Sequence, residues 1–149
     1  FILMEHLQPP GVPCSTPYEE TPRQFLMELA KSLASIISDH TPSGYLDEIP
    51  GRVEVPGIPS ALSYGYVNLR NLGRRNDGTL VVFDWDGARR APLGSDFKLF
   101  KRHPCLGEAM KLFYEGCSWA APKMPALMDW LEILNRLWSQ EDHRMEKGS

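Results

Sequence analysis

The turn triplet Asn76-Asp77-Gly78, followed at once by the apolar run Leu80-Val81-Val82-Phe83, constrains this chain more than any other stretch. Asp-Gly tolerates the positive φ values that tight hairpin turns need, and the β-prone run is long enough for one buried strand. Residues 64–86, YGYVNLRNLGRRNDGTLVVFDWD, therefore read as a loop, a short strand, a tight turn, a second strand and an acidic exit. Asn71 and Asp84 stand at the two ends of this hairpin, which spans 71–84. A carboxamide and a carboxylate held close together can carry a hard cation such as magnesium, which takes oxygen ligands. Taken alone, such a pair says little about metal.

The order of residues around the hairpin says more. Tyr64-Gly65-Tyr66 precedes Val67-Asn68-Leu69-Arg70, then Asn71, then Val82-Phe83-Asp84-Trp85-Asp86, with Pro92 and Asp96 beyond. This resembles the catalytic segment of the aminoglycoside phosphotransferase and choline kinase family, which has a protein-kinase-like fold. That family reads His-Gly-Asp, four residues, Asn, a strand ending in Ile-Asp-Trp/Phe-Glu, a proline, and an Asp that opens a helix. The resemblance implies Asn71 and Asp84 as magnesium ligands, Asp86 as a second-rank ligand, and Asp96 as a brace that holds the catalytic loop by hydrogen bonds. One departure is large: Tyr66 occupies the position of the catalytic Asp. In kinases that Asp orients the substrate hydroxyl and accepts its proton. A phenol with an ordinary pKa near 10 does not take that role at neutral pH.

Residues 1–7, FILMEHL, are apolar from the first residue. They read either as an N-terminal edge strand or, by the resemblance, as the hinge strand between two lobes, with Met4 and Glu5 presenting backbone to an adenine ring. The resemblance then implies a chain that starts where the small N-terminal lobe ends, truncated of the strand-bound lysine and phosphate-covering loop that kinases use. No Gly-x-Gly-x-x-Gly and no Walker sequence occurs anywhere.

The rest of the chain reads as a mainly helical lobe. Residues 8–21 hold Pro9, Pro10, Pro13 and Pro17 and form an extended connector. A helix over 22–39, capped by Thr21 with Pro22 at its first position, presents Phe25, Leu26, Leu29, Leu33, Ile36 and Ile37 on one core face. His40 follows its end as a surface cap. Residues 41–63 are turn-rich, with Val53 and Val55 as a short strand; Asp47, Glu48 and Glu54 there are solvated charges or, less simply, a substitute base. Arg70, Arg74, Arg75, Arg89 and Arg90 crowd the hairpin, either to meet phosphate oxygens or as a self-neutralising rim. A short helix over 95–103 has Ser95 as its cap. Helices over 105–120 and 125–140 follow, the second placing Leu127, Trp130, Leu131, Leu134, Leu137 and Trp138 on one face. Residues 141–149 are a charged tail expected to fray.

Composition sets the remaining bounds. A chain of 149 residues is expected to form one domain that buries roughly two-thirds of its unfolded surface. Sixteen basic and nineteen acidic side chains leave a net charge of −3, so no global basic field points to nucleic acid. Cys14, Cys105 and Cys117 are too few and scattered for a disulfide framework or a zinc site. No apolar run approaches a membrane span and no signal peptide is visible, which reads as cytoplasmic.

The expected fold is thus α+β and mainly helical: a protein-kinase-like C-terminal lobe with a small catalytic-loop hairpin and about four helices. The expected function is an ancestral ATP-dependent, magnesium-assisted phosphorylation of a small-molecule hydroxyl, now inactive or residual: a pseudokinase remnant. The alternative is a non-catalytic interaction domain. The apolar edge at 1–4, uncovered by loss of an N-lobe, would then pair with a second copy or a partner chain.

Overall fold

A computed structural model describes residues 7–40, 60–117 and 127–147. The described chain is mixed α+β. Helix α1 (Arg23–Asp39) leads to strand β1 (Ser60–Ser63), β2 (Leu72–Arg74), β3 (Leu80–Val82) and β4 (Arg89–Pro92), and then to α2 (Leu106–Gly116) and α3 (Leu127–Lys147). Short 3-10 turns at Tyr18–Glu20, Leu69–Asn71, Trp85–Gly87 and Ser95–Phe100 fill the connections.

The strands form two antiparallel ribbons. β2 pairs with β3 in the register Leu72↔Val82, Gly73↔Val81 and Arg74↔Leu80. β1 pairs with β4 from Ser60↔Pro92 to Ser63↔Arg89. The hairpin turn is a three-residue loop, Asn76-Asp77-Gly78, closed by Arg75 N–H to Thr79 O at 3.0 Å. Gly78 takes the left-handed position at φ 89°, and Asp77 Oδ1 accepts from Thr79 N–H at 2.9 Å. β3 ends one residue earlier than its apolar run suggests. Leu80 and Val82 face the core, whereas Phe83 is 38% exposed, because alternate side chains of a strand point to opposite faces.

Helix α1 buries Phe25, Leu26, Met27, Leu29, Ala30, Leu33, Ala34 and Ile37, a wider face than its six large apolar residues define. It packs on α2 at close range: a Cβ at Gly116 would lie 2.6 Å from that of Ala34. The small residue at the crossing is what lets the backbones approach, and α2 ends there rather than running on to 120. Phe97, Phe100, Phe113 and Tyr114 join the core through edge and tilted ring contacts. On α3, Leu131, Leu134 and Trp138 are buried. The helix continues through 141–147, where fraying is expected, and the helix formers Glu141, Arg144, Met145, Glu146 and Lys147 make that extension favourable.

Two caps differ from the sequence reading. Thr21 does not cap α1: Pro22 holds that position, and Thr21 Oγ1 is buried without a partner among the described residues. Its carbonyl instead accepts from His103 Nε2 at 2.7 Å, while His103 Nδ1 accepts from Cys105 N–H. Ser95 does not cap the segment after β4. Gly94, at φ 101°, turns the chain into a 3-10 helix, and Ser95 Oγ donates back to Pro92 O at 2.7 Å. The tighter winding puts Phe97 and Phe100 three residues apart on one face, both fully buried.

Arg74 ties the hairpin to the rest of the fold. Its guanidinium makes a two-pronged pair with Glu28 of α1 at 2.7 and 2.8 Å and donates to Pro10 O and Gly78 O. Gln8 and Arg74 exchange backbone hydrogen bonds at 2.7 and 2.8 Å, so the connector begins as a partner of β2. Arg74 is thus a structural arginine, not part of a solvated rim.

Candidate functional site

The chain passes between the two ribbons twice, and the two crossings lie side by side. Residues 64–71 run from β1 to β2, and residues 83–88 run from β3 to β4. Because β2 pairs with β3 and β1 with β4, both ends of both crossings are held together. The backbone joins them directly, with Phe83 N–H donating to Asn71 O at 3.0 Å.

Tyr64 is the pin of this junction. Its hydroxyl donates to Phe83 O at 2.8 Å and accepts from Asn71 Nδ2 at 2.6 Å. Its ring is buried and packs edge-on against Trp85, with centroids 4.9 Å apart, while Trp85 Nε1 donates to Val82 O. Burial raises the Tyr64 phenol above its ordinary value, opposed by the bond from Asn71 and reinforced by the negative charge of Asp84. The sequence reading gave Tyr64 only a place in a motif. No local signal marks its role, which exists only once the hairpin folds back.

Asn71 uses its amide nitrogen on Tyr64. Oδ1, the atom a hard cation would take, has no hydrogen-bond partner among the described residues. Asp84 has φ 66° and ψ 63°, and it alone of the described non-glycine residues has positive φ. Such a conformation costs of order 1 kcal/mol for an aspartate and persists only where the surroundings enforce it. Asp84 and Asp86 are both exposed, Asp86 in the 3-10 turn Trp85–Gly87. No cluster of three or more His, Cys, Asp or Glu side chains suited to a metal occurs among the described residues. Any cation here would therefore draw on one carboxamide, one or two carboxylates and a ligand's own oxygens, the way magnesium is usually held beside phosphates.

Asp96 lies beneath the loop and is 1% exposed. Its Oδ1 accepts from Tyr64 N–H at 2.7 Å, and its carbonyl accepts from Val67 N–H at 3.0 Å. Burial pushes this carboxyl up to about 7, against those hydrogen bonds and the charge of Arg89. Asp96 thus ties Tyr64 and Val67 of the loop from below, at the first turn of the 3-10 helix Ser95–Phe100.

Tyr66 points to a different environment. The Lys98 Nζ lies 4.7 Å from its ring centroid and the Arg89 guanidinium carbon 5.5 Å. Arg89 arrives there because Ser63↔Arg89 is the last pair of the β1/β4 ribbon, one step from the loop. Lys98, which the sequence reading passed over, is 8% exposed and follows Asp96 by two residues.

Several expected features fall outside the described residues: Met4 and Glu5 of the hinge reading, the edge at 1–4, Asp47, Glu48, Glu54 and the strand at Val53 and Val55. Cys14, Cys105 and Cys117 are free. No helix among the described residues is long and apolar enough to cross a membrane.

No family model matches the chain, and no curated protein or solved structure matches it either.

Proposed function

We propose that the paired crossings are a magnesium-nucleotide site of a kinase-like C-terminal lobe, related to aminoglycoside phosphotransferases and choline kinases, whose phosphoryl transfer is lost or residual. The observation that carries this reading is the left-handed backbone of Asp84, next in the chain to Phe83, whose N–H bonds Asn71 O and whose carbonyl is linked to Asn71 through the Tyr64 hydroxyl. Strain concentrated on one exposed acid suits a ligand better than it suits a turn, where glycine would serve without cost. In this reading Asn71 Oδ1 and Asp84 hold magnesium, Asp86 supplements them, and Asp96 keeps the loop in register. ATP's phosphates complete the coordination, and the γ-phosphoryl is the group once transferred to a small-molecule hydroxyl.

Tyr66 stands where the base would be, and Lys98 and Arg89 lie over its ring. Phosphoryl transfer depends on positioning and charge neutralisation more than on covalent chemistry, so losing the base leaves binding intact while removing most of the rate. The test is calorimetric titration of Mg·ADP and Mg·ATP into the protein and its Asn71→Ala and Asp84→Ala variants, with thermal melts to verify folding. Magnesium-dependent binding that both substitutions abolish is expected. Binding that survives both, or its absence at millimolar nucleotide, would sink the proposal.

A further inference from the structure

A cavity of about 190 Å³ opens beside Tyr66. Two aromatic side chains, Tyr66 and Trp138, and the apolar Ala91, Pro92 and Leu137 wall it. Its charged lining group is Arg89, and no carboxylate lines it among the described residues. Ser95 also lines it, but its hydroxyl is turned to Pro92 O.

The surroundings are cationic as well. Lys98 lies over the Tyr66 ring, and a neighbouring cavity that shares Trp138 is lined by Lys101 and Arg102, again without an acid among the described residues. Asp96 is the acid on which Arg89 acts, but it is buried and its Oδ1 already accepts from Tyr64 N–H.

Size narrows the occupant. An apolar cavity of about 150 Å³ accommodates benzene, so this one has room for one ring and one small polar group. A guanidinium at the rim of an aromatic-lined hollow selects a flat body ending in an anion, through forked hydrogen bonds and charge. A cationic ligand of the same size would meet like charge from Arg89.

We propose that the cavity beside Tyr66 binds a small organic anion: a single aryl or heteroaryl ring bearing one carboxylate or phosphate group. Arg89 meets the anionic group, while Tyr66, Leu137 and Trp138 hold the ring. The proposal uses neither magnesium nor nucleotide, and so stands apart from the reading of Asn71 and Asp84.

The test keeps the two separate. Benzoate, phenyl phosphate and benzyltrimethylammonium are titrated into the isotope-labelled chain in magnesium-free buffer with EDTA, following the Tyr66 amide and Trp138 indole resonances by NMR. Saturable shifts at millimolar concentration are expected for at least one anion and not for the ammonium ion, and which anion binds distinguishes carboxylate from phosphate. Affinity should fall about tenfold or more in Arg89→Ala, fall less in Arg89→Lys, which keeps the charge and loses the fork, and be unchanged in Arg70→Ala, which alters an exposed arginine outside the cavity. Leu137→Trp, which fills the cavity and leaves its charge, should also abolish binding. Equal or tighter binding of the ammonium ion, an Arg89→Ala variant that binds as well as the parent, or no saturable shift by about 50 mM would overturn the proposal.

Discussion

Replacing Asp96 with Asn tests the internal fastener of the loop without removing it. An asparagine Oδ1 in the same place still accepts the Tyr64 N–H that now bonds at 2.7 Å. What changes is titration. The folded chain holds this carboxyl at about 7 whereas the unfolded chain releases its proton near the ordinary value, a gap worth about 4 kcal/mol. Between those values the folded state binds the extra proton, so stability falls as pH rises from about 4 to about 7 and then levels off. From pH 5 to pH 8 the parent protein should lose about 2–3 kcal/mol from this group alone, and Asp96→Asn should lose none of it. Urea denaturation of both proteins at the two pH values measures the difference, since all other titrating groups are common to both and cancel. Parallel pH dependences in parent and variant would refute the claim that burial dominates this carboxyl's environment. Asp96→Ala is the control: it should destabilise at both pH values, because the Tyr64 N–H loses its partner.

Other substitutions probe the same junction and its support. Gly94→Ala places a methyl at φ 101° within 2.6 Å of Met110 Cε and 2.8 Å of the Tyr114 hydroxyl, and should cost about 2–4 kcal/mol in chemical denaturation. Gly116→Ala should likewise lower the melting temperature through its clash with Ala34, and Ala34→Gly should recover part of the loss. Tyr64→Phe removes the hydroxyl that joins Asn71 Nδ2 to Phe83 O; a loss of about 1–2 kcal/mol is expected, with weaker Mg·ADP binding in the same preparation. Asp84→Gly should do the opposite to stability, gaining about 1 kcal/mol from relief of its φ of 66° while ending magnesium-dependent binding. A variant that melts lower than the parent would contradict the reading of Asp84 as strained.

The local elements follow from short-range chemistry. Asn76-Asp77-Gly78 dictates the turn because its glycine meets the left-handed position a three-residue loop demands. The spacing of Phe25, Leu26, Leu29, Leu33 and Ile37 dictates one buried face of α1, since a helix repeats every 3.6 residues. Capping was less legible: Thr21 and Ser95 have suitable side chains, but burial and a neighbouring carbonyl claimed them first. Tertiary structure alone decided which distant residues meet. Tyr64 reaches Phe83 and Asn71, Asp96 reaches under Tyr64, and Arg89 and Lys98 come to Tyr66 only because two ribbons bring both crossings together. Register and burial are properties of the packed chain, set by pairings between segments tens of residues apart, and no local window of sequence contains them.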